Sequence, residues 1–286
     1  MTNRSIAIVL WSALALPGSA IAACMSDAEV AAMLDAYTKR QPAANPEGLS
    51  AADGECSRDK LNKLLQAQMG PPVGYKAGLT NPAVQKRFGA DAPVWGTLYA
   101  PMLLKSGAVV DATFGARPLF EADMLVRVSD EAVNRATTPE EVLRSIDQVI
   151  PFVELPDLVV QTPAPPKLNG AAITAINVGA RLGVLGTPVP VQATADFSNA
   201  MRDFVAIVKG DGAELDRGKG SDVLGHPLNA VVWLVKDMAR SGRSLKKGEL
   251  VSLGSFSKLL PPKPGLSVEV VYEGLPGNPV VAVSFK

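Results

Sequence analysis

Pro118-Leu119-Phe120-Glu121-Ala122-Asp123-Met124-Leu125-Val126-Arg127-Val128 alternates as a strand demands. Successive strand side chains point to opposite faces, so Phe120, Ala122, Met124, Val126 and Val128 share an apolar face. Glu121 and Asp123 then stand side by side on the other. Two carboxylates about 7 Å apart along a strand repel unless solvent or a cation lies between them. A hard divalent ion, which takes oxygen ligands, suits that position. A third acid, Glu154, sits in Ile150-Pro151-Phe152-Val153-Glu154-Leu155, where apolar neighbours make an uncompensated charge costly. The plain alternative is a solvated sheet face with an exposed E-x-D.

Similar patterns predict strands over 117–128, 150–155, 172–179, 203–209, 250–256, 267–273 and 279–285. Turn signals such as Gly210-Asp211-Gly212 and Gly274-Leu275-Pro276-Gly277 separate them. Ser26-Asp27-Ala28-Glu29 is a capping box, followed by Val30, Met33, Leu34 and Tyr37 on one helical face. A Pro/Gly-rich linker, 41–53, leads to a second helix carrying Leu61, Leu64 and Leu65. Asn81-Pro82 opens a short helix closed by Gly89, and Thr138-Pro139 opens another expected to reach about Val149. A further helix follows Gly225-His226-Pro227, with Leu228, Val231, Val232, Val235 and Met238 inward. Strands with scattered helices indicate the α+β class, with residues 24–70 as a small N-terminal helical cap and 71–286 as the main domain.

The 286 residues are 47% hydrophobic, and Lys+Arg and Asp+Glu balance at 28 each. No global field therefore recruits nucleic acid or anionic lipid. One histidine and two cysteines exclude a Cys/His zinc framework, so a metal would need carboxylate ligands. Residues 1–23 read as a signal peptide: Arg4, an apolar run from Ile6 to Leu16, and Ala20-Ile21-Ala22. The expectation is a periplasmic or secreted protein without a transmembrane segment in its mature part. Cys24 then has two readings, a disulfide with Cys56 or the lipidated first residue of a lipobox.

Gly74-Tyr75-Lys76-Ala77-Gly78-Leu79-Thr80, then Pro82-Ala83-Val84-Gln85, Gly89, Pro93 and Gly96-Thr97-Leu98, carry a resemblance. They resemble the 2-hydroxypenta-2,4-dienoate (2-keto-4-pentenoate) hydratase branch of the fumarylacetoacetate hydrolase superfamily. The likeness continues through Glu121-x-Asp123, Glu154, Asn169, Gly225-His226-Pro227-Leu228-Asn229-Ala230 and Leu253-Gly254-Ser255, from about residue 27 to the end. It implies a mixed β-sheet roll with peripheral helices, a homo-oligomer, and Mg²⁺ or Mn²⁺ held by Glu121, Asp123 and Glu154. Asp123 stands where the family has a glutamate. Lys76 matches the family lysine that meets the substrate carboxylate or the enolate.

The family also has an acid in the loop before its aromatic-Gly pair. Here Pro93-Val94-Trp95-Gly96 places Val94 there and leaves the neighbouring Asp91 as the candidate proton carrier. The family favours Asp-Asn where Leu168-Asn169 stands. Ser255, at a Gly-Ser strand end, and Trp95 are candidate substrate contacts. His226, beside Pro227 at a helix start, reads as structural. No G-x-S-x-G surrounds any serine, which argues against a Ser-His-Asp hydrolase.

The activity implied is hydration of a 2-hydroxy-2,4-dienoate to a 4-hydroxy-2-oxo acid. Its rivals are decarboxylation of a 2-oxo-3-enoate diacid, retro-Claisen hydrolysis, and a periplasmic keto-acid-binding protein without turnover.

Overall fold

Side-chain caps set where the helices begin. Ser26 accepts from Glu29 N at 3.3 Å while its own N–H meets Glu29 Oε2 at 2.7 Å, opening α1 (Asp27–Lys39). Ser50 and Asp53 repeat this box for α2 (Ala51–Met69). Asn81, Thr138, Asn169 and Thr194 cap α3 (Pro82–Arg87), α4 (Pro139–Leu143), α5 (Gly170–Ala175) and α6 (Ala195–Asp203). Ahead of α7 (Asn229–Arg240), His226 Nδ1 accepts from Leu228 N at 3.2 Å. The computed structural model describes residues 24–161 and 168–286; the expected signal peptide, 1–23, lies outside them.

The strands are β1 (Pro72–Gly78), β2 (Val94–Tyr99), β3 (Leu103–Lys105), β4 (Ala108–Val110), β5 (Glu121–Val128), β6 (Ile146–Leu155) and β7 (Leu182–Leu185). They continue with β8 (Val189–Pro190), β9 (Val205–Gly210), β10 (Ala213–Lys219), β11 (Leu250–Ser252), β12 (Ser267–Glu273) and β13 (Val280–Phe285). An eight-stranded mixed sheet runs β2-β1-β11-β5-β6-β7-β3, with β8 pairing β6; a five-stranded sheet runs β10-β9-β12-β13-β4. The expected α+β class and mixed sheets are present. β5 sits in the middle of the larger sheet with both faces covered, so its acids are not on a solvated face.

Three expectations need correction. Residues 172–179 form α5 and a short turn instead of a strand, because the Asn169 side chain accepts from Ala172 N. The new helix packs on α2 so closely that a Cβ on Gly54 would lie 2.5 Å from Ala171 O. The helix expected to reach Val149 stops at Leu143, and β6 begins at Ile146. After Ser252 the chain leaves the sheet, with Gly254 in the left-handed region at φ 103° and its N–H turned back to Asp123.

The N-terminal helices share one apolar cluster with the sheet: Met25, Val30, Met33, Leu61 and Leu65 pack with Leu98, Tyr99, Leu125 and Phe152. Cys24 is bonded to Cys56, which ties the entry of α1 to α2 and leaves the lipidated reading without its thiol. The bond closes a separation of 32 residues. The Cys24→Ser/Cys56→Ser double variant should therefore lose about 4 kcal/mol in urea unfolding, from the chain entropy that a loop of this size removes. An unchanged midpoint would show that packing alone holds the helices.

Candidate metal and active site

Strand pairing gathers four ionisable side chains on one face. Glu121 and Glu154 are directly opposed across the antiparallel β5–β6 pair, and Asp123 follows Glu121 two residues on. Lys76 is level with Ser252 in the parallel β1–β11 pair, and Ser252 is level with Leu125 of β5. All four are buried: Lys76 and Glu154 are 3% exposed, Asp123 0% and Glu121 9%. The expected set of Lys76, Glu121, Asp123 and Glu154 is thus brought together.

Each group has defined partners. Lys76 Nζ donates to Glu154 Oε1 and, at 3.0 Å, to the Val178 carbonyl. Asp123 Oδ2 accepts from Ser252 Oγ at 2.6 Å, and Oδ1 accepts from Gly254 N at 3.1 Å. Ser255 stands beside Glu121 and favours its ionised form; its hydroxyl also donates to Ser257 O at 2.6 Å. Tyr272, reaching over from β12, bonds the backbone of both acid-bearing strands. Its single hydroxyl proton is shared between Asp123 O and Phe152 O (2.9 Å), and its oxygen accepts from Phe152 N at 3.1 Å.

Burial sets the electrostatics. It pushes Glu121 well above the ordinary carboxylate range, and the neighbouring Glu154 adds to the rise. Asp123 is pushed up to about 7 by the same two causes in the same order. Three carboxylates against one ammonium leave a charge of −2 when all are ionised, among buried side chains.

That donor set fits a hard divalent cation: all oxygen, acidic and buried. Among the described residues no three His, Cys, Asp or Glu side chains already converge as metal ligands. The hydrogen bonds give the reason: Glu154 is engaged by Lys76, while Asp123 is turned to Ser252 and Gly254.

Two expected site residues lie elsewhere. Asp91 is exposed, and no hydrogen bond or ion pair joins it to Lys76 or to the three acids. Trp95 is level with Ala77, whereas Lys76 is level with Gly96, so Trp95 projects from the opposite face of β1–β2. There it lies between the Arg58 guanidinium, 3.4 Å from the ring centroid, and that of Arg243 at 5.4 Å; its Nε1 donates to Asp237 at 2.8 Å. It anchors α2 and lines no part of the acid cluster. His226 is buried, its Nε2 at 3.1 Å from Ser198 O, and burial lowers its pKa. That is the structural role expected of it.

Sequence reasoning missed Tyr272 and the Val178 carbonyl. A lone β-strand tyrosine and a backbone oxygen leave no motif. The only trace was Asn177 and Gly179, two residues that tolerate the left-handed region, inside what reads as a strand.

No family model matches the chain. It is similar to 2-keto-4-pentenoate hydratase 2 of Dechloromonas aromatica, with 31% identity over 206 residues, 72% of this chain and 76% of that one. Among solved structures it is similar to 4-oxalocrotonate decarboxylase from Pseudomonas putida G7, complexed with magnesium and adipate. The TM-score is 0.80 at 24% identity, covering 91% of this chain and 97% of the other. Fumarylpyruvate hydrolase from Pseudomonas aeruginosa, in complex with Mn²⁺ and pyruvate, gives a TM-score of 0.54 at 15% identity over 74% and 89% of the two chains. These relatives, enzymes named for hydratase, decarboxylase and hydrolase chemistry, give the expected signal peptide and periplasmic protein no support, and that expectation is withdrawn. The keto-acid-binding alternative, which the export signal and Val94 motivated, is set aside because the matching relatives are named as enzymes. The matching relative leads to one assignment, and the shared fold agrees with it: the chain belongs to the 2-keto-4-pentenoate hydratase family, and its fold is like that of fumarylacetoacetate-hydrolase-type structures.

Proposed function

We propose that the protein is a divalent-metal-dependent hydro-lyase that adds water to a 2-hydroxy-2,4-dienoate, giving a 4-hydroxy-2-oxo acid. The observation that carries this is the buried triad of Glu121, Asp123 and Glu154 facing Lys76. Glu121, Asp123 and Glu154 would hold Mg²⁺ or Mn²⁺. When bound, the cation supplies Lewis-acid stabilisation to the oxygens of a 2-oxo acid end.

The chain's own groups do the rest. Lys76 places a fixed positive charge where negative charge grows as the dienol becomes its keto form, and a preorganised charge stabilises that change without reorganising. Its buried stem keeps water away from the ammonium, which strengthens the interaction. Ser255, beside Glu121 and favouring its ionised form, would serve as a substrate contact. Asp91, exposed and unpartnered among the described residues, is not assigned the proton transfer. A homo-oligomer, which the family resemblance implies, belongs to the same proposal.

Decarboxylation needs the same electron sink, so turnover of both substrate types decides between the two reactions. Loss of dienol absorbance on 2-hydroxypenta-2,4-dienoate with Mg²⁺, and no CO₂ release from a 2-oxo-3-enoate diacid, is the expected result; the reverse would establish a decarboxylase. Lys76→Met should lower kcat/KM by roughly 10²-fold, the scale of removing one preorganised stabilising group, and Glu121→Gln should abolish calorimetric Mg²⁺ binding.

The pKa directions give a pH test. Glu121 and Asp123 have folded-state values above their unfolded ones, so between about pH 4 and 7 the folded protein holds more protons than the unfolded chain. Metal-free protein should then lose stability as pH rises through that window. Mg²⁺ affinity should rise over the same range as protons leave the ligands. Melting temperatures from pH 4 to 8, with and without Mg²⁺, should show stabilisation by the ion only at the upper end. A stabilisation independent of pH would remove these two acids from the site.

A further inference from the structure

Residues 177–179 pass through the left-handed region in succession, with φ of 55° at Asn177, 54° at Val178 and 66° at Gly179. Glycine accepts this freely and asparagine with little strain, but a β-branched valine there is a steric outlier. Such an outlier persists only where its surroundings over-determine it.

The surroundings here are specific. The buried Asn177 amide pairs with the free edge of β2 as a strand would. Its Oδ1 accepts from Thr97 N at 2.8 Å, and its Nδ2 donates to Thr97 O at 3.0 Å. Oδ1 also accepts from Asn62 Nδ2 of α2 at 3.0 Å. Two glycines leave the room: a Cβ on Gly96 would lie 2.4 Å from Asn177 O, and one on Gly78 2.5 Å from Val178 Cγ1.

What the turn delivers is a carbonyl. Val178 O lies 3.0 Å from Lys76 Nζ. An ammonium on a flexible four-carbon stem has three donors, and one acceptor alone leaves it free to swing. With Glu154 and Val178 O both engaged, two protons are fixed, and the third is left, among the described residues, for a ligand.

We infer that Asn177 is a positioning residue: by clamping the left-handed turn to β2 it fixes the Val178 carbonyl, which aims Lys76 at the 2-oxo acid end of the substrate, where the negative charge grows. This rests on the role proposed above for Lys76. A turn that merely reverses the chain from α5 into β7 would need neither the strained valine nor its carbonyl on a buried lysine.

The test is a double-mutant cycle read by binding, so that it does not depend on turnover. Oxalate, an inert two-carboxylate mimic of the 2-oxo acid end, is titrated calorimetrically into Mg²⁺-loaded wild type, Asn177→Gly, Lys76→Met and the double variant. Glycine keeps the left-handed turn accessible while the clamp is lost. Asn177→Gly should weaken oxalate roughly tenfold, the scale of one charge-assisted hydrogen bond, with Mg²⁺ affinity within about twofold of wild type. On the Lys76→Met background the same change should cost nothing further. A tenfold loss that persists without Lys76, or no loss at all, overturns the inference. If Asn177→Gly does not fold, Asn177→Asp, which keeps the acceptor and the volume but loses the donor to Thr97 O, is held to the same two outcomes. Wild type that binds Mg²⁺ but no oxalate would instead overturn the reading of the site, and the inference with it.

Discussion

Burial of like charge is the constraint on which this structure turns. Glu121, Asp123 and Glu154 share one face of a covered sheet with a single lysine as counter-charge. Such a cluster can spread apart, take up protons or accept a cation. Spreading is blocked, since β5 is held between β11 and β6 and Asp123 is fixed by Ser252 and Gly254. Proton uptake is the response visible in the raised values of Glu121 and Asp123. The fold therefore maintains an electrostatic tension, with proton and metal as competing ways to relieve it.

Alternation along β1 and β2 divides labour between their two faces. One face carries Lys76 and the glycines that admit the 177–179 turn; the other carries Tyr75 and Trp95, stacked edge to face, with Arg58 of α2 over the indole. The Lys76 position and the Trp95 contact that holds Arg58 of α2 thus lie on neighbouring residues of the same short strands. Substitutions one position apart should have unrelated consequences.

How much of this was legible in the sequence depended on whether the signal was periodic. The Ser26 capping box forms as read, and the alternation expected over 117–128 forms a strand from Glu121 to Val128, with Pro118 and Phe120 making only isolated bridges ahead of it. The gathering of Lys76 with three acids came from motif likeness, and strand register then supplied its physical basis. Residues 172–179 misled because their small and β-branched composition suits a strand. A cap at Asn169 and close packing against Gly54 decide otherwise, and both are tertiary facts. Trp95 was assigned by adjacency to a motif, yet a residue's face follows from register, which adjacency does not contain. Lys76's second partner is a backbone oxygen, which has no residue type to recognise.

The Tyr272 hydroxyl makes the smaller sheet a participant in the chemistry of the larger one. It grips the peptide backbone of Asp123 and Phe152 from a strand that contributes no ligand of its own. Because a buried phenol bonded on three sides cannot shift without breaking one of those bonds, displacement of β12 is transmitted to the acid-bearing strands. Surface changes that remodel the outer sheet, for assembly or for solubility, are therefore not neutral decoration. The evolutionary freedom of that sheet is limited by a ligand geometry it never touches with a side-chain carboxylate.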